Sequence, residues 1–349
     1  MLKQFGILLS VVLLTACKKD TPLFDTQGSH SFYVRNNNVD LPVLVEGNTS
    51  SRTFILYVHG GPETGGIAES GDPVFWNKLE ELYAVVYYDQ RGIGMSNGSF
   101  DESALTVEQS VDDLDKIITV LKNNYGNDIS LFLMGGSWGG YLGTAYITTS
   151  NNQNKLKGWI EIGGAHNMIL LQKELPEQIK QVAQQQINKD LAEDEWQIHL
   201  DYAMQYDTND VSFENWLNLI QQYGPITQQL QKDGELTIRD TDVEIPTGVN
   251  LLTLLANDNL NQTGIKLLKQ YYNTSLTPNL AAVTLPSRFF WGEYDFASPT
   301  ALALDAYTNI GTPVQDKAIK IFDHADHSIL LTKPEELLLE IKLFVEAYK

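Results

Sequence analysis

Cysteine is nearly missing from this chain: Cys17 is the only one in 349 residues. No internal disulfide can form, so thiol chemistry says nothing about the compartment. Positive charge is scarce as well. Lys and Arg number 24 against 44 Asp and Glu, a formal net charge of −20. That balance argues against nucleic acid as a partner. Long apolar runs are lacking too. The one at the start, Phe5 to Ala16, is too short to cross a bilayer as a helix. There are no internal repeats. The single biased stretch, Gln178 to Gln186, reads as a solvated helix face. What remains, with 43% hydrophobic residues, is a globular chain long enough for a core domain plus an insertion.

The first residues are a targeting segment. Lys3 is a short charged region, Phe5 to Ala16 is the apolar region, and the run ends Leu14-Thr15-Ala16-Cys17. This resembles the lipobox of bacterial lipoproteins. The resemblance implies removal of residues 1–16 and a lipid anchor on Cys17, with residues 17–30 as a tether. The expected location is outside the cytoplasm, at a bacterial membrane, with the outer membrane or cell surface favoured over the inner membrane.

The body alternates strands and helices. Ser31 to Arg35 and Leu41 to Glu46 read as a strand pair around Asn36 to Asn38. Thr53 to Val58 is a continuous apolar run, a strand buried on both faces, ending in His59-Gly60-Gly61-Pro62. Asp72-Pro73 reads as a helix start. Ala84 to Tyr88 is a strand ending in DQRGIGMS, Asp89 to Ser96. Thr106 and Gln109 suggest a capping box, with apolar residues at helical spacing as far as about Asn123. Further strands are expected at Ile129 to Met134, Leu156 to Ile162, Ser287 to Trp291 and Ala318 to Phe322, and helices at Thr300 to Thr308 and Pro334 to Tyr348. Residues 166–281 break the alternation with helical spacing throughout. Trp196 and Trp216 there read as helix-packing core. The predicted architecture is α/β: a mostly parallel sheet with helices on both faces, made from 31–165 and 282–349, with 166–281 as a helical cap.

The chemistry centres on Gly135-Gly136-Ser137-Trp138-Gly139-Gly140, between a strand and a helix. It fits G-x-S-x-G, the nucleophile elbow. Tiny flanking residues let the chain turn sharply and present the serine hydroxyl at a helix N-terminus. A serine nucleophile needs a base, and the base needs an orienting acid. Asp295 and His327 follow, each just after a strand and in the order that the α/β-hydrolase fold requires. His324 is the rival base and Glu293 the rival acid. A lone His59 offers no ligand set, so no metal is expected, and nothing calls for a cofactor.

HGGP, DQRGIGMS, GGSWGG, the GEYD strand end and a closing His-Ser before the last helix together resemble the proline iminopeptidase family of α/β-hydrolases. The resemblance covers the sheet domain. It implies an oxyanion hole from the backbone N–H groups of Gly61 and Trp138, and Asp89 and Arg91 as a structural pair beside the site. It also implies His59 within the oxyanion loop and an aminopeptidase releasing N-terminal proline or small residues through an acyl-enzyme. Two features depart from the family: Glu63 follows HGGP where glycine is usual, and the cap has no evident Trp-Glu motif. An ammonium-binding carboxylate is sought among Glu174, Glu177, Glu193, Glu195 and Glu214. An esterase or other amide hydrolase of this fold, and a non-catalytic surface lipoprotein, are the alternatives. The partner is a small peptide or ester substrate, and the sequence fixes no oligomeric state.

Overall fold

The computed structural model describes residues 28–61, 65–239 and 260–349. The signal segment, Cys17, most of the tether, and Pro62 and Glu63 lie outside the described residues.

Nine strands form one sheet: β1 (His30–Asn36), β2 (Val39–Gly47), β3 (Thr53–Val58), β4 (Ala84–Tyr88), β5 (Asn97–Gly98), β6 (Ser130–Gly136), β7 (Gly158–Ile162), β8 (Ser287–Tyr294) and β9 (Lys317–Asp326). Their order is β1-β2-β4-β3-β6-β7-β8-β9, with the short β5 paired to β2. From β4 to β9 every neighbouring pair is parallel, while β1 and β2 run antiparallel at one edge. The hairpin joining β1 and β2 turns at Asn37 and Asn38, with φ of 43° and 62°. Asparagine tolerates that left-handed conformation, and two such residues match the twist of a tight hairpin.

The longer helices are α1 (Trp76–Leu82), α2 (Val107–Tyr125), α3 (Trp138–Thr148), α4 (Met168–Asn188), α5 (Glu193–Gln205), α6 (Phe213–Ile220), α7 (Tyr223–Lys232), α8 (Leu260–Tyr271), α9 (Ala301–Asn309) and α10 (Pro334–Tyr348). The strand period divides the core. Phe54, Leu56 and Val58 of β3 join Leu131, Leu133 and Trp159 under α2 and α3. Ile55 and Tyr57 join Phe132, Met134 and Ile160 under α1 and α10. Each fully buried aliphatic or aromatic side chain of this kind contributes roughly 1.5–3 kcal/mol. A sheet covered on both faces therefore has strands buried at every position and nearly all apolar, as β3 and β4 are.

Chain direction reverses about β3. From β3 the chain moves outward to β4, then crosses back to β6 on the other side of β3. The crossover helices consequently lie on opposite faces, and their loops diverge at the carboxyl ends of β3 and β6. That crevice is where an open α/β sheet places a site.

Between β7 and β8 the described regular elements are α4 to α8 and a one-turn helix at Thr277–Leu280. Among the described residues no helix is long and apolar enough to cross a membrane. Three local expectations change. The helix expected at Asp72-Pro73 begins at Trp76, because the Asp72 carboxylate accepts from the Val74 N–H and forms a turn instead. The capping box is half made: Thr106 Oγ1 accepts from the Gln109 N–H at 3.1 Å, but the Gln109 amide turns to Asp113 and Asn37. The last strand runs on to Asp326, past the expected Phe322.

Candidate active site

Register places the loop after β3 beside the elbow. Val58 pairs with Gly135, so His59 and Gly60 run alongside Gly136 and Ser137. A Cβ on Gly60 would lie 3.1 Å from that of Ser137. Ser137 has φ 53° and ψ −120°, a conformation that side-chain-bearing residues avoid. Its surroundings hold it there. The Ser137 N–H donates to Ile162 C=O at 3.0 Å, and its own C=O accepts from Gly140 and Ala165 at 2.9 and 3.2 Å. Gly139 must be glycine, since a Cβ would sit 1.9 Å from Val58 C=O. Ser137 is the N-cap of α3, yet its hydroxyl makes no capping bond.

Asp295 follows β8 and is fully buried. One carboxylate oxygen accepts from the Ala297 and Ser298 N–H groups at 3.0 and 2.7 Å. Both oxygens face His327 Nδ1, at 3.0 and 2.9 Å, so Nδ1 carries the proton and Nε2 is left as the acceptor. Burial presses the His327 pKa down, but the charge and hydrogen bonds of Asp295 outweigh it, and the net shift is upward. Asp295, His327 and the Ser137 backbone all abut one peptide unit. Ile162 C=O holds the Ser137 N–H. A Cβ on the next residue, Gly163, would lie 2.8 Å from Asp295 and 3.1 Å from His327 Nδ1.

Both rivals point elsewhere. The His324 side chain is 58% exposed, against 19% for His327. Its ring bonds Glu235 C=O at 2.9 Å, and its N–H donates to Glu293. His324 and Glu293 thus engage each other's segment, apart from the Asp295–His327 pair.

The N–H groups of Trp138 and Gly61 donate to no protein acceptor among the described residues. A strut joins their two segments: the Trp138 indole N–H donates to Gln90 Oε1 at 2.9 Å, and the Gln90 amide donates to His59 C=O at 3.2 Å. His59 is fully buried, and desolvation lowers its pKa to about 4. It is therefore neutral, with Nδ1–H donating to Gly60 C=O at 2.8 Å and shaping the loop.

Asp89 and Arg91 do not pair with each other, contrary to expectation. Asp89 accepts from Ile67 N–H at 3.0 Å and Met95 N–H at 2.7 Å, stitching two loops together. Burial raises its pKa to about 6. Arg91 makes a buried two-pronged contact with Asp113, at 2.8 and 2.6 Å, and reaches the hairpin carbonyls of Asn36 and Asn37. β4 ends at Tyr88 and Arg91 opens a turn, so strand alternation does not hold the two side chains on one face.

The five acidic residues sought for an ammonium also fall elsewhere. Glu177, Glu193, Glu195 and Glu214 are exposed, and Glu177 is paired with Lys180. Glu174 is half-buried in a groove with Leu304 and Ile321, outside the site. Two residues that sequence reasoning missed do touch it. Tyr223 at the start of α7 sets its ring edge-on to His327 at 6.1 Å and donates to Asp326 at 2.9 Å. Gln178, expected on a solvated face, is buried and donates to Asp295 C=O at 2.8 Å. Gln186 at the other end of that stretch is buried too, and only Gln181, Gln184 and Gln185 face solvent. No pattern singled out Tyr223 among the aromatics around it. Gln178 lies in line with the buried Leu171, Leu175 and Val182, a helical stripe that would have marked it.

Among the described residues no group of three or more His, Cys, Asp or Glu could hold a metal ion.

Residues 49–214 match the family model described as serine aminopeptidase, S33. A proline iminopeptidase of Thermoplasma volcanium is 29% identical over 156 residues, 45% of this chain and 50% of that protein. One from Saccharolobus solfataricus is 24% identical across 85% of this chain and 86% of that protein. The chain thus spans half the length of the first relative and most of the second. Among solved structures, proline iminopeptidase from Mycobacterium smegmatis superposes with a TM-score of 0.62 at 17% identity, covering 91% of this chain and 98% of that one. An esterase from Exiguobacterium antarcticum does so with 0.56 at 17% identity, covering 90% and 99%. At that identity the superpositions speak to architecture, which peptidases and esterases share. The chain has the α/β-hydrolase fold, and its first half resembles the serine aminopeptidases built on it.

Proposed function

We propose that the protein is a serine hydrolase with Ser137 as nucleophile, His327 as base and Asp295 as its orienting acid. Its favoured substrates are peptides with an N-terminal proline or small residue. The observation that carries the reading is the Asp295–His327 pair packed against Gly163, next to Ile162, whose C=O holds the Ser137 N–H. Ser137 Oγ attacks the substrate carbonyl while His327 Nε2 takes its proton. The imidazolium is stabilised by Asp295, and the oxyanion accepts the two free N–H groups of Trp138 and Gly61. The tetrahedral intermediate collapses as His327 protonates the leaving amine. Water then enters, His327 accepts its proton, and the acyl-enzyme is hydrolysed.

A second reading, an esterase or other amide hydrolase, is favoured by one observation: none of the five cap glutamates named for an ammonium is buried. The assay that decides is a side-by-side turnover of prolyl-, alanyl- and N-acetyl-prolyl-anilides with p-nitrophenyl butyrate. On the aminopeptidase reading acetylation costs on the order of 2 kcal/mol or more in kcat/KM. Equal turnover of the acetylated anilide, or reaction of the ester alone, sinks that reading and leaves the general hydrolase. Ser137→Ala should abolish every activity and labelling by a fluorophosphonate, and full activity in that variant sinks both readings.

We further propose that the chain is exported and lipid-anchored through Cys17, by its likeness to a lipobox. Acyl labelling of the membrane fraction should place lipid on Cys17. A soluble, unlipidated product in cells that process lipoproteins normally would rule this out.

A further inference from the structure

A second charged constellation lies buried beside the elbow, and the proposed chemistry does not use it. Glu161 of β7, His166 just beyond that strand, and Asp305 of α9 form a line. His166 Nδ1 is 2.9 Å from Glu161 Oε1, and its Nε2 is 3.1 Å from Asp305 Oδ2. Glu161 and His166 are fully buried. Both ring nitrogens face carboxylate oxygens, which only accept, so the imidazolium alone satisfies both contacts. Burial opposes that charge, but the two carboxylates overcome it and hold the His166 pKa at about 9. An isolated ion there would be heavily penalised, and removing one partner would strand the others.

The position of the cluster gives it a role. His166 stands where the chain leaves the sheet for α4, and its C=O accepts from Leu276 N–H at 2.8 Å, where the chain returns. Next to it, Asn167 forms an antiparallel bridge with Ser275, and Met168 N–H donates to Thr274 C=O at 2.9 Å. The Asn167 amide donates to Thr277 Oγ1 at 2.8 Å and to Asp305 at 3.2 Å, and the Thr277 hydroxyl also donates to Asp305. Outgoing and returning strands are thereby fastened to each other and to one carboxylate of the sheet domain. On the inner side, Glu161 lies against the elbow helix: a Cβ on Gly140 would come within 3.3 Å of its carboxylate. At the far end, the same helical segment reaches the site through Gln178 on Asp295 and Tyr223 on Asp326 and His327.

We propose that His166, clasped between Glu161 and Asp305, is a positioning residue that fixes the described helices of 168–232 and 260–271 beside Ser137 and His327, and so governs substrate binding more than chemistry. The proposal rests on the serine hydrolase reading of the site. The charged groups facing His166 are Glu161 from β7 and Asp305 from α9; Asn167 and Thr277, from the outgoing and returning chain, are neutral. The clasp therefore opens in mild alkali, when His166 loses its second proton and one contact with it.

The test uses the full chain with His166→Gln and Asp305→Asn, and Glu161→Gln as a third variant expected to behave as Asp305→Asn does. Active sites are counted by fluorophosphonate titration of Ser137, so that misfolded protein does not enter the rates. The expected result is a KM raised about tenfold with kcat held within about twofold, since a loosened segment costs binding before it costs the acyl-transfer step. In the wild type, kcat/KM should fall above a limb near pH 9; Asp305→Asn should move that limb to lower pH and His166→Gln should abolish it. Amide exchange should quicken in α4 and α8 but not in β3 and β6. Unchanged KM with an unmoved limb, or exchange that quickens equally in the central strands, overturns the proposal. If the wild type takes no fluorophosphonate, the serine reading fails, and the clasp is then judged by exchange alone: equal protection of α4 in wild type and His166→Gln refutes it.

Discussion

Asp295→Asn is the sharpest probe of the site, because the structure dictates how the new amide must sit. One oxygen of Asp295 accepts from the Ala297 and Ser298 N–H groups at 3.0 and 2.7 Å. Only an oxygen can accept there, so the asparagine carbonyl takes that place and its NH₂ turns to His327 Nδ1. Nδ1 must then accept, and the ring proton moves to Nε2. The base now offers Ser137 a donor where it needs an acceptor. Volume and hydrogen-bond count scarcely change, so the variant should fold. The expected loss in kcat is on the order of 10⁴-fold, about 5 kcal/mol of transition-state stabilisation, the size seen when a triad histidine is held in the wrong tautomer. The pH profile supplies a second readout. In the wild type, activity rises with pH as His327 loses its proton, and Asp295 sets that limb above the ordinary histidine value. Without the carboxylate, burial dominates and the residual activity should have its limb at lower pH. Single-turnover fluorophosphonate labelling across pH 4–10 measures both. Labelling within about tenfold of wild type would refute the assignment of Asp295 as the orienting acid.

Other outcomes follow from the same geometry. His327→Ala should match the loss of Ser137→Ala, whereas His324→Ala, which removes an exposed side chain bonded to Glu235 C=O, should stay within a few-fold of wild type in the same assay. Gly139→Ala forces a Cβ against two rigid carbonyls, Val58 and His59; it should cost about 1–3 kcal/mol in urea unfolding and disproportionately more in labelling, because the strain falls on the elbow. Stability should also vary with pH through His166. Its pKa is raised on folding, so its contribution is full below about pH 6.5 and is lost as pH rises to about 9, a span of roughly 3 kcal/mol that His166→Gln should remove from the unfolding curves.

Much of the site could be read from the sequence because its residues carry backbone constraints. The glycines of the elbow announce a sharp turn on their own, although what a Cβ would strike at Gly139, Val58 C=O, lies far away in the chain. The strands before Ser137 and Asp295 carry apolar runs that declare themselves. The choice of His327 over His324 rests on its place further along the loop and on the family pattern; in the structure His327 Nδ1 faces Asp295 and the His324 ring bonds Glu235 C=O. The rest was hidden because it depends on contacts between segments far apart in the chain. Arg91 finds Asp113 across 22 residues, and His166 finds Asp305 across 139. Local pattern carries no trace of such pairs. Asp89 and Arg91, two apart in one motif, look like partners only through the family resemblance. The cap fared worst. Its amphipathic helices announce that they pack but not against what, so Tyr223 was indistinguishable from its neighbours, and the stripe holding Gln178 said that it faces inward but not that it meets Asp295.

The break in the sheet also fixes the order in which the molecule can be built. β3, β4, β6 and β7 are all made before residue 163, and with their loops they carry the elbow and the two N–H groups, of Gly61 and Trp138, proposed to bind the oxyanion. β8 joins β7 only after the 124 residues from 163 to 286 have been synthesised and looped out. Closing a loop of that length costs about 4 kcal/mol in chain entropy before a single β7–β8 contact repays it. Until then β7 is a bare apolar edge, Gly158 to Ile162, of the kind that recruits strands from other chains. Helical contacts within the inserted segment are local and form quickly, which shortens the effective loop and shields that edge. A chain cut between about Ala165 and Ser287 should therefore hold a formed serine turn, lack any base to activate it, and be lost to aggregation.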